Sequence, residues 1–581
     1  MELLSVENVT FRYPKASVDA LKEVSLTVSE GQWAVVCGLS GCGKSTLLRM
    51  IKREIAPFGD FHGTVRFDGH IVRSEDSSLP VLGDREAASG IGIVLQDPES
   101  QIVTDTVWHE LAFGLENLGL PSEVIRRRVA EMSAFFGIED WYHSKTYELS
   151  GGQKQLLNLA SALVMNPRLL LLDEPTAQLD PIAAAEFRNV LRRVCSDLGV
   201  TILMAEHRLE DILPHADRIF LMDGGRILCS GGAAELTDHL HMHSHPMAEA
   251  LSAATRIYLA LTGGPAASGE TASAGDVATA SLPLTVRDGR AMLRAMFPKP
   301  AASLPAAAPS ADTDATVALE AKGLRFRYDR TLPDVLSEAS IAIRAGEHYC
   351  LLGGNGSGKT TLLSLLAGLT KPYAGTVRLF DRKLSSFAPG TLYRGNLALL
   401  PQQPRDVFTE TTIRADLLKA FSRVDQDNAE SSMLALCERL RITGILDSHP
   451  YDVSGGELQK AALAKVLASR PKVLLLDEPA KGIDVRGKGE LAGLLRDLQD
   501  DGVAVLSVTH DAEWAALHAD RCGLLFDGTV ISEADPKAFF EGNAFYTTAA
   551  NRMARGIIDG AITCDDVVAA VRGRVSGEVS S

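Results

Sequence analysis

The stretch Gly38-Leu39-Ser40-Gly41-Cys42-Gly43-Lys44-Ser45 decides the fold of this 581-residue chain. It has the pattern G-x-x-x-x-G-K-[ST], follows the apolar run 33–37 and opens a second apolar stretch. A strand, a glycine-rich loop and a helix in this order are typical of a phosphate-binding loop, because glycines let backbone amides turn inward toward phosphate oxygens. The helix N-terminus adds positive potential. The stretch therefore predicts an α/β fold around a phosphate site.

The chain repeats this stretch and four further motifs in the same order. The second copy of the loop is Gly353–Thr360, after the apolar run 348–352. Spacings also repeat, since 31 residues separate the tyrosine of the Phe-Arg-Tyr motif from the loop lysine in both copies. Five ordered motifs at matching spacing indicate a tandem duplication. The other pairs are Phe-Arg-Tyr at 11–13 and 326–328, Ser-Gly-Gly at 150–152 and 454–456, Leu-Asp-Glu-Pro at 172–175 and 476–479, and His207 with His510.

Each half supplies the residue types that nucleotide hydrolysis needs. The loop lysine reaches the terminal phosphates, and the following hydroxyl binds Mg²⁺. An aspartate at the end of an apolar strand holds the metal, and the next glutamate is placed to polarise the attacking water. A histidine after another strand contacts the γ-phosphate. These predicted pairs are Lys44 and Lys359, Ser45 and Thr360, Asp173 and Asp477, Glu174 and Glu478, and His207 and His510.

In each half a glutamine, Gln96 or Gln402, lies between the phosphate-binding loop and the Ser-Gly-Gly motif. This ordered set of motifs resembles the ATP-binding-cassette ATPases over nearly the whole chain outside the linker. The resemblance implies two P-loop NTPase domains, each with a mixed-sheet core and a helical subdomain, arranged head to tail. It also implies two ATP sites formed between the halves, with ATP and Mg²⁺ as cofactors. Lys44 would then share a nucleotide with Ser454–Gly456, and Lys359 with Ser150–Gly152.

The resemblance extends to further nucleotide and metal contacts. Tyr13 and Tyr328 match the adenine-stacking aromatic of the family, and a strand aromatic that faces the core is the alternative for each. Gln96 and Gln402 would bind both nucleotide and metal, and Ala480-Lys481-Gly482 in the second half puts equal turnover of the two sites in doubt. The other implied nucleotide contacts are Gly38, Ser40, Gly41, Gly43, Thr46, Ser150, Gly151, Gly152 and Asp180 in the first half, and Gly353, Asn355, Gly356, Gly358, Thr361, Ser454, Gly455, Gly456 and Asp484 in the second.

Composition predicts the domain boundaries. Residues 1–250 and 317–545 form the two ATPase domains, and residues 251–316 form a linker. Its stretches 263–280 and 298–313 are rich in Ala, Gly, Ser, Thr and Pro, which cannot bury a core. A Thr-x-x-Asp helix start at Thr285 predicts a short helical appendage over 285–297, and the same device at Thr563 predicts another within 546–581. Two unrelated terminal helices are the alternative.

The segment after Gln96 indicates the kind of cassette protein. Residues 97–117 closely resemble the ATPases of energy-coupling factor transporters, which import vitamins or transition-metal ions in prokaryotes. The resemblance implies a peripheral protein at the cytoplasmic membrane face, bound to a polytopic coupling subunit and a membrane substrate-binding subunit. Glu110 and Glu116 would offer charge to a helix of the membrane partner. A solvated helical face is the alternative for both.

Two other classes remain open. A sugar or peptide importer would use the same catalysis, and only residues 97–117 favour the energy-coupling type. A soluble cassette protein acting on ribosomes is opposed by the Ala/Pro/Ser linker, and the net charge of −16 argues against nucleic acid as a partner. No apolar run approaches the roughly 20 residues that cross a bilayer. Alternate histidines in 239–245 fall on one side of an extended chain, which would suit a transition metal, or form a hydrated loop.

Overall fold

The computed structural model describes residues 1–14, 16–76, 78–263, 282–297, 316–388 and 390–575. They form two compact units, residues 1–252 and residues 253–263 with those from 282 onward. Most of the proposed linker stretches 263–280 and 298–313 lies outside the described residues. In the described parts of the chain, no helix combines the length and the apolar character that spanning a bilayer requires.

The first unit contains two sheets. A four-stranded antiparallel sheet has the order β2-β1-β4-β5, and a six-stranded sheet has the order β10-β9-β3-β8-β7-β6 with only β10 antiparallel. The central strands β3 and β7 are fully buried and apolar except for Asp173, the last residue of β7, as covered parallel strands are. The strands are β1 (Glu2–Arg12), β2 (Leu21–Ser29), β3 (Trp33–Cys37), β4 (Asp60–Phe67), β5 (His70–Ser74), β6 (Ile91–Val94), β7 (Leu169–Asp173), β8 (Thr201–Glu206), β9 (Arg218–Asp223) and β10 (Arg226–Gly231).

Helices of the first unit follow the strands in the pattern of an α/β fold. Two of them, α3 and α4, pack beside α5 and form a helical region between β6 and β7 in sequence. The helices are α1 (Lys44–Ile51), α2 (Asp84–Gly90), α3 (Val107–Asn117), α4 (Ser122–Phe136), α5 (Gly151–Leu163), α6 (Pro181–Leu198) and α7 (Ala233–Met242).

The second unit repeats the two sheets. Its antiparallel sheet has the order β12-β11-β14-β15, and its mixed sheet has the order β16-β17-β18-β13-β19-β20. The second phosphate-binding loop again follows a central strand of the mixed sheet, β13. The strands are β11 (Val317–Phe326), β12 (Leu336–Arg344), β13 (His348–Leu352), β14 (Ala374–Leu379), β15 (Arg382–Lys383), β16 (Leu397–Leu400), β17 (Val473–Asp477), β18 (Ala504–Val508), β19 (Arg521–Phe526) and β20 (Thr529–Ala534).

The helices of this unit include four that pack together as an appendage, α8, α9, α17 and α18. Two of them precede β11 in the sequence and two follow the second mixed sheet, so the appendage joins distant parts of the chain. The helices are α8 (Ala253–Thr262), α9 (Val286–Met296), α10 (Lys359–Leu366), α11 (Ile413–Ser422), α12 (Ala429–Arg439), α13 (Gly455–Leu467), α14 (Val485–Asp500), α15 (Ala512–His518), α16 (Pro536–Gly542), α17 (Ala549–Ala554) and α18 (Cys564–Val575).

The Thr-x-x-Asp starts are present as helix caps in this appendage. The Thr285 hydroxyl accepts from the Asp288 amide at 3.2 Å, and the Thr563 hydroxyl accepts from the Asp566 amide at 3.1 Å. The helices are not two separate appendages, because the Arg290 guanidinium donates to the Arg552 carbonyl and the Arg572 guanidinium to the Ala260 carbonyl. Short amphipathic helices cannot bury an apolar face alone, and pairing them does so.

Candidate nucleotide and metal sites

The first phosphate-binding loop runs between β3 and α1. Gly41 and Gly43 take φ angles of 77° and 107°, in the left-handed region that favours glycine. A Cβ at Gly43 would lie 2.6 Å from the Ala20 carbonyl oxygen, so only glycine fits there. The Lys44 ammonium is buried and donates to the carbonyls of Gly38 at 2.9 Å and Leu39 at 3.1 Å. A buried lysine ammonium enclosed by a backbone loop at a helix N-terminus is suited to binding a phosphate anion.

The second loop has the same construction between β13 and α10. The Lys359 ammonium donates to the carbonyls of Gly353 and Gly354, both at 2.9 Å. Gly356 and Gly358 take φ angles of 75° and 98°. The structure therefore places both loop lysines, and the glycines around them, in equivalent positions.

A hydroxyl and a carboxylate meet beside each loop. The Ser45 hydroxyl donates to Asp173 Oδ1 at 2.8 Å, and the Thr360 hydroxyl is hydrogen-bonded to Asp477. Burial raises the pKa of Asp173 and of Asp477 to about 6. Neutral and anionic oxygens at a buried strand end are the ligands that Mg²⁺ accepts, so these pairs fit a metal that neutralises the carboxylates.

The glutamate after each of these aspartates has a strained backbone. Glu174 lies at φ 43° and Glu478 at φ 51°, where side chains other than glycine are uncommon. Each is held there by its amide, which donates to the carbonyl of Ala205 at 3.0 Å or of Val508 at 2.9 Å. The strain costs on the order of 1–3 kcal/mol per residue, and it recurs at the equivalent position of both halves.

In the first half, Glu174 gathers three of the sequence-predicted side chains. Its Oε1 lies 3.4 Å from Lys44 Nζ, and its Oε2 accepts from the Gln96 amide at 3.3 Å. His207 Nδ1 lies 3.1 Å from the same Oε2, close enough for an ion pair but not aligned as a hydrogen bond. Burial would raise the pKa of Glu174, but His207 and Lys44 outweigh burial and lower this pKa. These two neighbours therefore favour the ionised form of the Glu174 carboxylate.

In the second half, Glu478 is held by a different set. His510 Nδ1 lies 2.8 Å from Glu478 Oε1 in hydrogen-bonding geometry. The Thr509 hydroxyl donates to Glu478 Oε2 at 3.3 Å. Gln402, the counterpart of Gln96, is exposed. The lysine, carboxylates and histidine are equivalent in the two halves, but the contacts that orient the glutamate are not.

The two tyrosines lie at the edge of their sites. The Tyr13 hydroxyl is 3.0 Å from Thr46 Oγ1, and the Tyr328 hydroxyl is 2.9 Å from Thr361 Oγ1. Tyr328 is 67% exposed, which excludes the alternative of an aromatic that faces the core. Tyr13 is half-buried against Phe11 with its ring edge-on. A ring whose hydroxyl is fixed beside the loop can present a face to a base.

The Ser-Gly-Gly segments begin helices α5 and α13. The Ser150 hydroxyl accepts from the Gln153 amide at 3.3 Å, and the Ser454 hydroxyl accepts from the Glu457 amide at 3.4 Å. In the next connection, Asp180 and Asp484 cap the starts of α6 and α14. Each Ser-Gly-Gly segment therefore presents a helix N-terminus, which favours an anion.

Two expectations from the sequence are wrong. Glu110 does not offer charge at a surface, because it is 6% exposed and its Oε2 accepts from the amides of Val103 at 3.1 Å and Thr104 at 2.7 Å. The 239–245 tract is not extended, because α7 continues to Met242 and the His239 and His243 rings stack with centroids 4.2 Å apart. Among the residues that the structure describes, no group of three His, Cys, Asp or Glu side chains could hold a metal ion.

Sequence reasoning also missed a buried pair in the first half. The Thr176 hydroxyl donates to Glu206 Oε1 at 2.6 Å, between the turn after Glu174 and the end of β8. The only available signal was their position, each within two residues of a predicted catalytic side chain.

Comparisons with known proteins point to one family. A family model described as ABC transporter matches residues 21–177 and 336–481. A putative ABC transporter ATP-binding protein of Bacillus thuringiensis subsp. konkukian is 37% identical over 562 residues, 97% of each chain. A putative HMP/thiamine import ATP-binding protein of Bacillus subtilis, YkoD, is 30% identical over 546 residues, covering 93% of this chain and 92% of YkoD.

Among solved structures, CbiO1 of Clostridium perfringens, part of the ABC transporter complex CbiONQ, is 30% identical. The match covers 43% of this chain and 98% of CbiO1, with a TM-score of 0.36. Two matched segments within one chain and relatives that align over nearly its full length give the same assignment. The chain belongs to the ABC transporter family and is an ATPase.

Proposed function

We propose that this chain is the ATP-hydrolysing subunit of an importer of the energy-coupling factor type, which powers uptake of a vitamin or a transition-metal ion through separate membrane subunits. The surface built by residues 97–117 carries this proposal. The import function in the name of YkoD supports the direction of transport. Such a subunit would work at the cytoplasmic face of a prokaryotic membrane.

Within each half, the geometry supports the following roles for the site residues. Lys44 and Lys359 bind the terminal phosphates, and the loop amides orient them. The hydroxyl–aspartate pair, with Gln96 in the first half and Gln402 in the second, would hold Mg²⁺, which would neutralise phosphate charge. Glu174 and Glu478 accept a proton from the attacking water.

The histidine beside each glutamate, His207 or His510, orients that carboxylate and contacts the γ-phosphate. Tyr13 and Tyr328 stack on adenine.

We propose further that each nucleotide is shared between the halves. The loop around Lys44 would face Ser454–Gly456, and the loop around Lys359 would face Ser150–Gly152. Both Ser-Gly-Gly segments present helix N-termini, which would complement the γ-phosphate from the opposite side.

The surface that would receive the membrane subunit is bonded to helix α5. The Asn158 amide donates to the Pro98 carbonyl at 3.0 Å, and Lys154 Nζ lies 2.5 Å from Glu99 Oε1. These bonds tie the segment after Gln96 to α5, the helix that begins with Ser-Gly-Gly. Val103 and Trp108 stand 66% and 41% exposed beside it. A partner helix that covers these apolar side chains would thus be mechanically linked to the nucleotide site.

Co-purification tests the proposal. The chain, expressed with its genomic neighbours, should recover a polytopic membrane protein and a small membrane-embedded substrate-binding subunit. A Trp108→Glu variant should lose this recovery and keep its basal ATPase activity, because a charge replaces an apolar contact. Phe58→Glu is the matched control, since Phe58 is an exposed aromatic of the same unit, 87% exposed.

Two results would contradict the proposal. Recovery with ribosomes alone would refute a transport function. Recovery of a membrane subunit that depends on a separate soluble solute-binding protein would instead assign the chain to a sugar or peptide importer.

A further inference from the structure

A second buried carboxylate stands directly before His207 in the first site. Glu206 ends β8 and is 1% exposed. Its Oε1 accepts from the Thr176 hydroxyl at 2.6 Å, and its Oε2 accepts from the amides of His207 at 3.2 Å and Arg208 at 3.4 Å. A buried carboxylate is costly unless such donors surround it, so these contacts fix both partners closely.

The Thr176–Glu206 bond joins the turn after Glu174 to the end of β8, directly before His207. Thr176 lies in the turn that begins at Glu174, where the Ala177 amide donates to the Glu174 carbonyl at 3.1 Å. Glu206 holds the turn that carries His207 through that residue's own amide. The 3.1 Å separation of His207 Nδ1 from Glu174 Oε2 therefore depends on how these turns are held together.

The second half replaces both members of the pair. Alignment on the Asp-Glu-Pro and histidine motifs puts Ala480 at the place of Thr176 and Thr509 at the place of Glu206. The Thr509 hydroxyl accepts from the Asp511 amide at 3.0 Å, as Glu206 accepts from the Arg208 amide two residues on. It then donates directly to Glu478 Oε2. In the first half the connection is thus made by two side chains, Thr176 and Glu206, and in the second half by Thr509 alone.

We infer that Glu206 with Thr176 at the first site, and Thr509 at the second, are positioning residues that set the histidine against the water-polarising glutamate by two interchangeable hydrogen-bond sets. This rests on the function proposed above. Neither set includes a residue assigned above to phosphate or metal binding. Their loss should lower the rate of hydrolysis and leave ATP binding intact, because they fix reacting groups that act only after ATP is bound.

Steady-state ATPase kinetics test the inference in the full chain. An E478Q background restricts turnover to the first site, and the series is repeated with an unaltered second site. E206A should lower kcat by about tenfold or more with KM within about twofold, because small misplacements of catalytic groups are costly. E206Q keeps both hydrogen-bonding ends and should retain about half of kcat or more.

The informative variant is the exchange T176A/E206T, which installs the pair of the second half. Thr at 206 can accept from the Arg208 amide and donate to Glu174, so kcat should recover to about half of the parent or more, while T176A alone should not. At the second site, in an E174Q background, T509V should lower kcat and T509S should not.

The outcomes separate the inference from the proposed function. An E206A chain with unchanged kcat, or with KM raised in proportion, overturns the inference, as does an exchange variant as slow as E206A. Should E206A fail to fold, T176A and the exchange variant decide in the same way. An inactive E478Q parent counts against two independent sites instead, and the unaltered background then shows whether E206A still lowers kcat.

Discussion

Glu174 and Glu478 hold their carboxylates through left-handed backbone, at φ 43° and 51°. Proteins keep such strain where surrounding structure over-determines it, and functional sites are where it accumulates. Sequence motifs predicted both glutamates, because each directly follows the predicted metal-binding aspartate at the end of an apolar strand. Glu206 and Thr509 were not found, because their partners lie about 30 residues away and only folding brings them together. The prediction for Glu110 was wrong because its carboxylate is buried by the loop at Val103 and Thr104, whose amides donate to it.

The first prediction concerns these glutamates. Gln in place of Glu keeps size and hydrogen bonding but cannot accept the proton from water. E174Q/E478Q should therefore lower ATP hydrolysis by about 10²–10⁴-fold while ATP binding persists. Each single change should remove at least half of the activity, since one site remains chemically complete. Phosphate release and nucleotide binding, measured on the same preparations, check both statements. A double variant that hydrolyses ATP at the parental rate would refute the assigned base.

The second prediction concerns the stability cost of Asp173. Its pKa is raised from 3.8 to about 6 by burial, so the folded state binds a proton more tightly than the unfolded state. The destabilisation caused by the ionised Asp173 is absent below about pH 4 and complete above about pH 6. Without nucleotide or Mg²⁺, D173N should be more stable than the parent at pH 7.5, by up to about 3 kcal/mol. This difference should shrink as the pH falls toward 4.

Denaturation of the ligand-free protein at several pH values measures that difference. D140N, at an exposed carboxylate, is the control and should show little change. A D173N advantage that stays constant from pH 7.5 to pH 4.5, or a less stable D173N, would contradict the assigned cost. The same sign is expected for D477N, since burial raises the pKa of Asp477 to about 6 as well.

At the scale of elements, short-range patterns predicted the strands before the phosphate-binding loops and the helices that begin with a Thr-x-x-Asp cap, but not the histidine tract. The apolar runs 33–37 and 348–352 are β3 and β13 in the structure. They could be predicted because a glycine-rich loop limits each of them at one end. The 239–245 tract was wrongly assigned as extended, since period-two spacing of histidines carries no information about burial. Leu236 and Leu240, buried at helical spacing, were the better signal.

The third prediction concerns the packing of α9 in the appendage. A Cβ at Gly289 would lie 2.2 Å from Met553 Sδ and 2.9 Å from the Ala254 Cβ, so α9 approaches α17 and α8 closely. G289A should destabilise the second unit, although Ala is intrinsically favoured over Gly in helices by about 1 kcal/mol. G493A in α14 is the matched control, because a Cβ there meets nothing within 4 Å, and it should stabilise. Opposite shifts in unfolding midpoint are expected, and equal stabilisation would contradict the packing.

At the scale of the whole molecule, the duplication was predictable and the grouping of the appendage was not. Repeated motifs at equal spacing reveal two ATPase halves without any tertiary information. The helices α8 and α9 follow the first half in sequence but belong to the second unit in structure. Nothing local to residues 253–263 or 286–296 encodes that choice, because it depends on apolar faces contributed by α17 and α18. Domain boundaries drawn from composition therefore split an assembly that the fold keeps together.

The proposal that two ATP sites are shared head to tail between the halves of one chain can be tested by disulfide crosslinking. A cysteine at Ser40 should crosslink with one at Ser454 when ATP is bound in the E174Q/E478Q background, which holds nucleotide. Each single-cysteine chain controls for the native thiols. Shared sites predict an ATP-dependent intramolecular crosslink for S40C/S454C and none for S40C/S150C. Crosslinking of S40C with S150C within one chain, and not with S454C, would contradict it.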